Sequence, residues 1–175
     1  MKIVLVRHTT TGITPGICYG QTDVPLADTF PTEAAASCAA IPRYSYDAVY
    51  CSPLTRCRKL AEYCGYPTPR LDDRIKELNF GDWEMKYYKR IDDPLIIEWF
   101  NSFVDSPMPG GESFKIMFKR VASFFDELKS MNLKNVLVFA HGGVLACAQV
   151  YSGKMNFRQA FEHLTPYGGL IEIEI

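Results

Sequence analysis

Two histidines and two arginines are spaced so that they could grip and attack a phosphoryl group: Arg7-His8, Arg56 and His141. Each follows a short apolar run. Lys2–Val6 (KIVLV) leads into Arg7-His8. Asp47–Cys51 (DAVYC) leads into Ser52-Pro53-Leu54-Thr55-Arg56, and Asn135–Ala140 (NVLVFA) leads into His141-Gly142-Gly143. If the runs are parallel strands, their carboxyl ends share one edge, which is where open α/β sheets bind ligands. That edge would be cationic in a chain of net charge -1. Guanidinium forks bind phosphate oxygens in pairs and stay charged at any useful pH. A neutral imidazole can attack phosphorus and form a labile N–P bond. A second imidazole can donate to the transferring group, whose equatorial oxygens need charge stabilisation. Gly142 lets the backbone come close, and its N–H is a further donor.

A leaving alkoxide also needs a proton. The stretch Lys76–Glu84 (KELNFGDWE) offers Glu77, Asp82 and Glu84. Partial burial beside a phosphate raises the pKa of such an acid. Glu77 is favoured, although position alone does not choose it. Singly, each candidate has a plainer reading. A histidine after a strand is more often a hydrogen-bonded structural residue, and a lone Arg56 reads as a solvated helix residue. Their joint occurrence at successive strand ends outweighs those readings. His163 has no such placement and is read as structural. Cys18 and Cys147 are read as packing residues.

Positioning these groups needs a sheet and its covering helices. The β-branched runs read as strands buried on both faces. Leu170–Ile175 (LIEIEI) alternates and reads as an edge strand with one wet face. Ser52 reads as an N-cap with Pro53 at the first helical position, before an apolar stripe that stops at Gly65. Ser113 opens a longer helix, whose Phe114, Met117, Phe118, Val121, Phe124, Phe125 and Leu128 form a core stripe. Glu33–Ala40, Leu95–Phe103 and Gly143–Tyr151 read as further helices. This alternation predicts a single α/β domain with a mostly parallel central sheet. Thr9–Thr29 is the longest irregular segment, of a length that suits a functional loop.

The bulk properties narrow the function. The chain has 175 residues, 22% of them charged. It shows no whole-chain footprint for nucleic acid or membrane and no run of membrane-spanning length. The six cysteines have no CxxC spacing or His-rich company, so no metal site is expected. No P-loop or Gly-x-Gly-x-x-Gly turn points to a cofactor. The expected partner is a small-molecule phosphomonoester, with oligomeric state left open. Met1–Val6 is too brief for a signal peptide. With the thiols read as free, the expected compartment is the cytoplasm.

The assembled motifs resemble the histidine phosphatase superfamily, which includes cofactor-dependent phosphoglycerate mutases and many small phosphatases. The family's strand and Arg-His-Gly stand as Leu5-Val6-Arg7-His8-Thr9. Its Ser-Pro-Leu-x-Arg stands as Ser52-Pro53-Leu54-Thr55-Arg56, and its tryptophan motif as Ile75-Lys76-Glu77-Leu78-Asn79-Phe80-Gly81-Asp82-Trp83-Glu84-Met85. Its second His and Gly-Gly stand as His141-Gly142-Gly143. The resemblance implies a three-layer α/β/α sandwich of the phosphoglycerate mutase type. It implies His8 as the phosphorylated nucleophile, Arg7, Arg56 and His141 as phosphate ligands, and Glu77 as the proton donor. The loop Cys18–Leu26 and the segment Pro109–Ser113 are similar to α-ribazole phosphatases of cobalamin nucleotide-loop assembly. Gly20, Gln21, Thr22, Thr14 and Gly142 are the substrate-binding candidates. Gly20 and Asp23 equally suit a loop-shaping role, and Ser113 a helix cap. Three positions depart from the family: Thr9 and Met85 replace glycines, and Thr14 replaces an asparagine.

A broad-specificity small-molecule phosphatase with the same site is the first alternative, and three further rivals stand beside it. A mutase would use the same pocket, but family mutases carry longer insertions. A two-histidine phosphodiesterase would match His8-Thr9-Thr10 and His163-Leu164-Thr165, but would leave Arg7, Arg56 and His141 unexplained. An inactive phosphate-binding scaffold usually loses the nucleophile or the acid, and this chain keeps both.

Overall fold

The buried runs pair as expected. In the computed structural model, which describes residues 1–175, five strands lie in the order β3-β2-β4-β1-β5. They are β1 (Lys2–Arg7), β2 (Ala48–Cys51), β3 (Arg70–Leu71), β4 (Asn135–Ala140) and β5 (Leu170–Glu174). The first four are mutually parallel, and β5 runs antiparallel to β1. The alternating LIEIE of β5 therefore marks a sheet edge, as its pattern implies.

Side chains alternate across the sheet and build a core on each face. Ile3, Leu5, Val136, Val138 and Ala140 join a cluster with α4 (Phe114–Ser130), α5 (Gly142–Tyr151) and α6 (Phe157–Glu162). Val4, Val6, Leu137 and Phe139 face α1 (Phe30–Ala40) and α2 (Thr55–Tyr63). Helices on both faces of a mostly parallel sheet make the three-layer sandwich. The stripe Phe114, Met117, Val121, Phe124, Phe125 and Leu128 is wholly buried, and at about 1.5–3 kcal/mol per large side chain it is a main source of stability. Phe118 is only partly covered. α3 (Leu95–Ser102) and three short 3₁₀ turns lie in the irregular half of the chain. None of the helices is long and apolar enough to cross a membrane.

Two expectations need correction, and one element was not foreseen. α2 starts at Thr55 after Leu54, not at Pro53, and Ser52 does not cap it. The Ser52 hydroxyl is engaged instead at 2.7 Å with His141, which fixes the chain before the helix can begin. Cys38 and Cys64 are not free thiols but a disulfide joining the C-terminal ends of α1 and α2, and this removes two of the thiols from the case for a reducing compartment. Finally, α6 is absent from the sequence reading, although Asn156 and Gln159 form a capping box at its start, a signal visible in the sequence. Ser113 does cap α4, accepting from the Ile116 N–H.

Candidate active site

Sheet register brings the two histidines together. Arg7 on β1 sits opposite Ala140 on β4, so His8 and His141 leave adjacent strands at the same level. Their rings meet edge to face with centroids 5.2 Å apart. Arg56 comes from the first turn of α2, after β2, the other neighbour of β4. All three are sealed from solvent, His8 at 2% exposure and Arg56 and His141 at 0%.

His8 Nδ1 lies 2.7 Å from the Thr9 carbonyl oxygen. A carbonyl only accepts, so Nδ1 carries the proton and the Nε2 lone pair is free. Burial, with the charges of Arg56 and Arg7 added, lowers the His8 pKa from 6.5 to about 3. His8 is therefore neutral at pH 7. His141 is pushed well down by burial and then by Arg56 and His8. Its Nε2 meets the Ser52 hydroxyl and lies 3.4 Å from Cys57 Sγ.

The arginines are held by backbone carbonyls. Arg56 donates from Nη1 to Thr22 at 3.0 Å and from Nη2 to Gly20 at 2.5 Å. A Cβ on Gly20 would overlap the Leu78 carbonyl oxygen, so glycine is required for that approach. Glu84 anchors the same turn, accepting from the Gln21 and Thr22 N–H groups, the Thr22 hydroxyl and the Phe80 N–H. Burial alone would raise the Glu84 pKa, but these hydrogen bonds outweigh it and hold it below the usual value. Arg7 donates to the Thr165 carbonyl at 2.5 Å and lies 4.0 Å over the Tyr167 ring. Gly142 packs beneath this guanidinium, where a Cβ would stand 3.0 Å from Cζ. Arg7 Nε and Arg56 Nε are buried without a protein acceptor. Such donors cost about 1–3 kcal/mol each when unpaired, and the oxygens of an anion would satisfy them.

Glu77 accepts from the Leu78 N–H at 2.9 Å and from the Gly143 N–H at 3.2 Å. Its segment is clamped by Arg120, which donates to the carbonyls of Arg74, Lys76 and Glu77 and pairs with Glu112. Of the three candidate acids only Glu77 lines the cavity that reaches His8. Asp82 is exposed, and Glu84 serves the Gly20–Thr22 turn.

That cavity measures about 460 Å³. Its titratable lining includes Arg7, His8 and Glu77, and its aromatic wall includes Phe80, Tyr88, Trp99, Phe100 and Phe161. Gly20, Thr22 and Gly142 support the arginines, Gln21 donates from Nε2 to the Glu77 carbonyl at 3.2 Å, and none of the four lines the cavity; Thr14 is exposed and lies outside it. Cys147 is a packing residue as expected, whereas Cys18 lines the cavity. His163 is at the end of α6, its Nδ1 against the Gln159 carbonyl. Sequence reading missed the Arg120 clamp and the two tyrosines over the arginines, Tyr19 and Tyr167. Tyr19 lay in the long loop marked as functional, and Tyr167 had no signal.

The sequence model of the histidine phosphatase superfamily (branch 1) matches residues 3–175. The chain belongs to the histidine phosphatase superfamily. Among curated members, an adenosylcobalamin/alpha-ribazole phosphatase of Escherichia coli is 30% identical over 160 residues, covering 83% of this chain and 76% of the relative. The relative named phosphoserine phosphatase 2 of Hydrogenobacter thermophilus is 30% identical over 152 residues, covering 82% of this chain and 74% of the relative. The solved structure of a phosphoglycerate mutase from Thermus thermophilus superposes with a TM-score of 0.78 at 30% identity, with 99% of this chain and 93% of that one covered. This histidine phosphatase is thus a phosphatase enzyme with a phosphoglycerate mutase-like fold.

Proposed function

We propose that this histidine phosphatase hydrolyses α-ribazole 5′-phosphate through a phosphohistidine at His8. One arrangement carries the reading. A neutral His8 with its Nε2 lone pair free lies among Arg7, Arg56 and His141, and opens onto a cavity walled by aromatic side chains. His8 Nε2 attacks phosphorus, the P–O ester bond breaks, and Glu77 gives a proton to the leaving oxygen. Arg7, Arg56 and His141 stabilise the transferring oxygens. Glu77 then takes a proton from water, whose oxygen attacks phosphorus. The N–P bond breaks, releasing phosphate and neutral His8.

The aromatic wall favours a leaving alcohol that carries a flat heteroaromatic base over an amino acid. Phosphoserine would bring an ammonium and a carboxylate into the cavity, and the charged lining residues, Arg7 and Glu77, are already given to the phosphate and the proton. The name of the Escherichia coli relative supports the same substrate.

The test is phosphate release in excess chelator from α-ribazole 5′-phosphate, phosphoserine and an aryl phosphate, for wild type and His8→Ala. Chelator-resistant turnover that prefers α-ribazole 5′-phosphate and vanishes in the variant is expected. A preference for phosphoserine would sink the substrate assignment. Turnover surviving in His8→Ala would sink the mechanism.

A further inference from the structure

Tyr19 and Tyr167 come from separate loops and meet with their hydroxyl oxygens 2.7 Å apart. The Tyr167 ring lies 4.0 Å from Arg7 Cζ and 5.5 Å from the His8 ring. The Tyr19 ring lies 5.4 Å from Arg56 Cζ. Each phenol thus faces one arginine of the phosphate site, and the hydroxyl bond ties the two together. Both tyrosines line the cavity, whereas Arg56 and His141 do not and are wholly buried. Arg56 and His141 lie behind the cavity surface, and the paired phenols lie against the two arginines that a phosphoryl group on His8 must reach.

We infer that the Tyr19–Tyr167 pair is a latch over the phosphate site, parted by the phosphate as it enters. The inference rests on the reading of Arg7, Arg56, His8 and His141 as phosphate ligands. While the latch is shut, cation–π contact keeps each guanidinium in place. When phosphate oxygens take over the arginines, the hydroxyl bond is given up. The rings are positioning groups, and the hydroxyl pair sets the cost of access.

Orthophosphate binding to the full chain, followed by titration calorimetry, tests this without assuming a leaving group. Tyr19→Phe and Tyr167→Phe keep the rings and remove the latch. Each should bind orthophosphate about two- to tenfold more tightly, the worth of one hydrogen bond. The double variant should gain no more than either single, because one bond is lost in all three. In turnover, KM should shift more than kcat. Tyr167→Ala, which also loses the ring, should bind more weakly than Tyr167→Phe. Unchanged or weaker binding in both Phe variants, or additive gains in the double variant, overturns the latch. Arg56→Ala is the control for the underlying reading: if it binds orthophosphate as well as wild type does, the site assignment fails, whatever the tyrosines do.

Discussion

At His8, burial and neighbouring charge act on the same proton. The native pKa of about 3 lies below the unfolded value of 6.5, so between these pH values the unfolded chain binds a proton that the folded chain refuses. Stability is complete above pH 6.5 and declines as pH falls towards 3. At pH 5 this one histidine should cost on the order of 2 kcal/mol, and His141 acts in the same direction. Urea unfolding at pH 7.5 and 5.0 should show the loss, and His8→Asn should recover part of it. Equal stability at both pH values would contradict the buried neutral imidazole. Glu77 makes a separate expectation. Glu77→Gln should lower kcat/KM, which reports phosphorylation of His8 and not the later attack of water, about 10²- to 10⁴-fold for an alkyl phosphate and far less for 4-nitrophenyl phosphate, whose leaving group needs no proton. An equal loss on both would assign Glu77 to binding. At this scale the sequence was legible where a residue ends a strand, as with His8 and His141. It was not legible where a side chain crosses from another loop, as with Tyr167 over Arg7.

Among the local elements, the turn after Trp83 carries strain. Met85 has φ 63°, a left-handed conformation that costs a non-glycine residue about 1–3 kcal/mol. The family's glycine at this position is thereby explained. Met85→Gly should raise the calorimetric Tm by a few degrees. An unchanged or lower Tm would mean that the half-exposed methionine side chain contributes enough packing to offset the strain. Strand positions were readable because β-branched runs buried on both faces permit little else. The start of α2 was misread because Ser52, a good cap by type, is engaged by His141 across 89 residues of sequence. Local propensity carries no trace of a partner that distant.

Across the whole molecule, the Cys38–Cys64 bond ties α1 to α2 on one face of the sheet. Six cysteines permit many pairings, and only the packed helices select this one. Closing a loop with a sequence separation of 26 is worth about 3 kcal/mol in chain entropy. Cys38→Ser/Cys64→Ser should lose roughly that in urea while keeping turnover at 25 °C, since neither cysteine lines the cavity. Loss of activity without loss of stability would refute a purely structural role.

The layers differ in another way. His8 and His141 extend from β1 and β4, inner strands of the sheet with fully buried interiors. Much of the cavity's aromatic wall belongs to residues 88–100, a 3₁₀ turn and an eight-residue helix with Leu95, Ile97 and Phe100 exposed. Amide hydrogen exchange should therefore be slowest along β1 and β4 and fast along this wall. Moderate warming would loosen selectivity before it abolishes chemistry, and the enzyme would accept a wider range of phosphates just below its unfolding temperature.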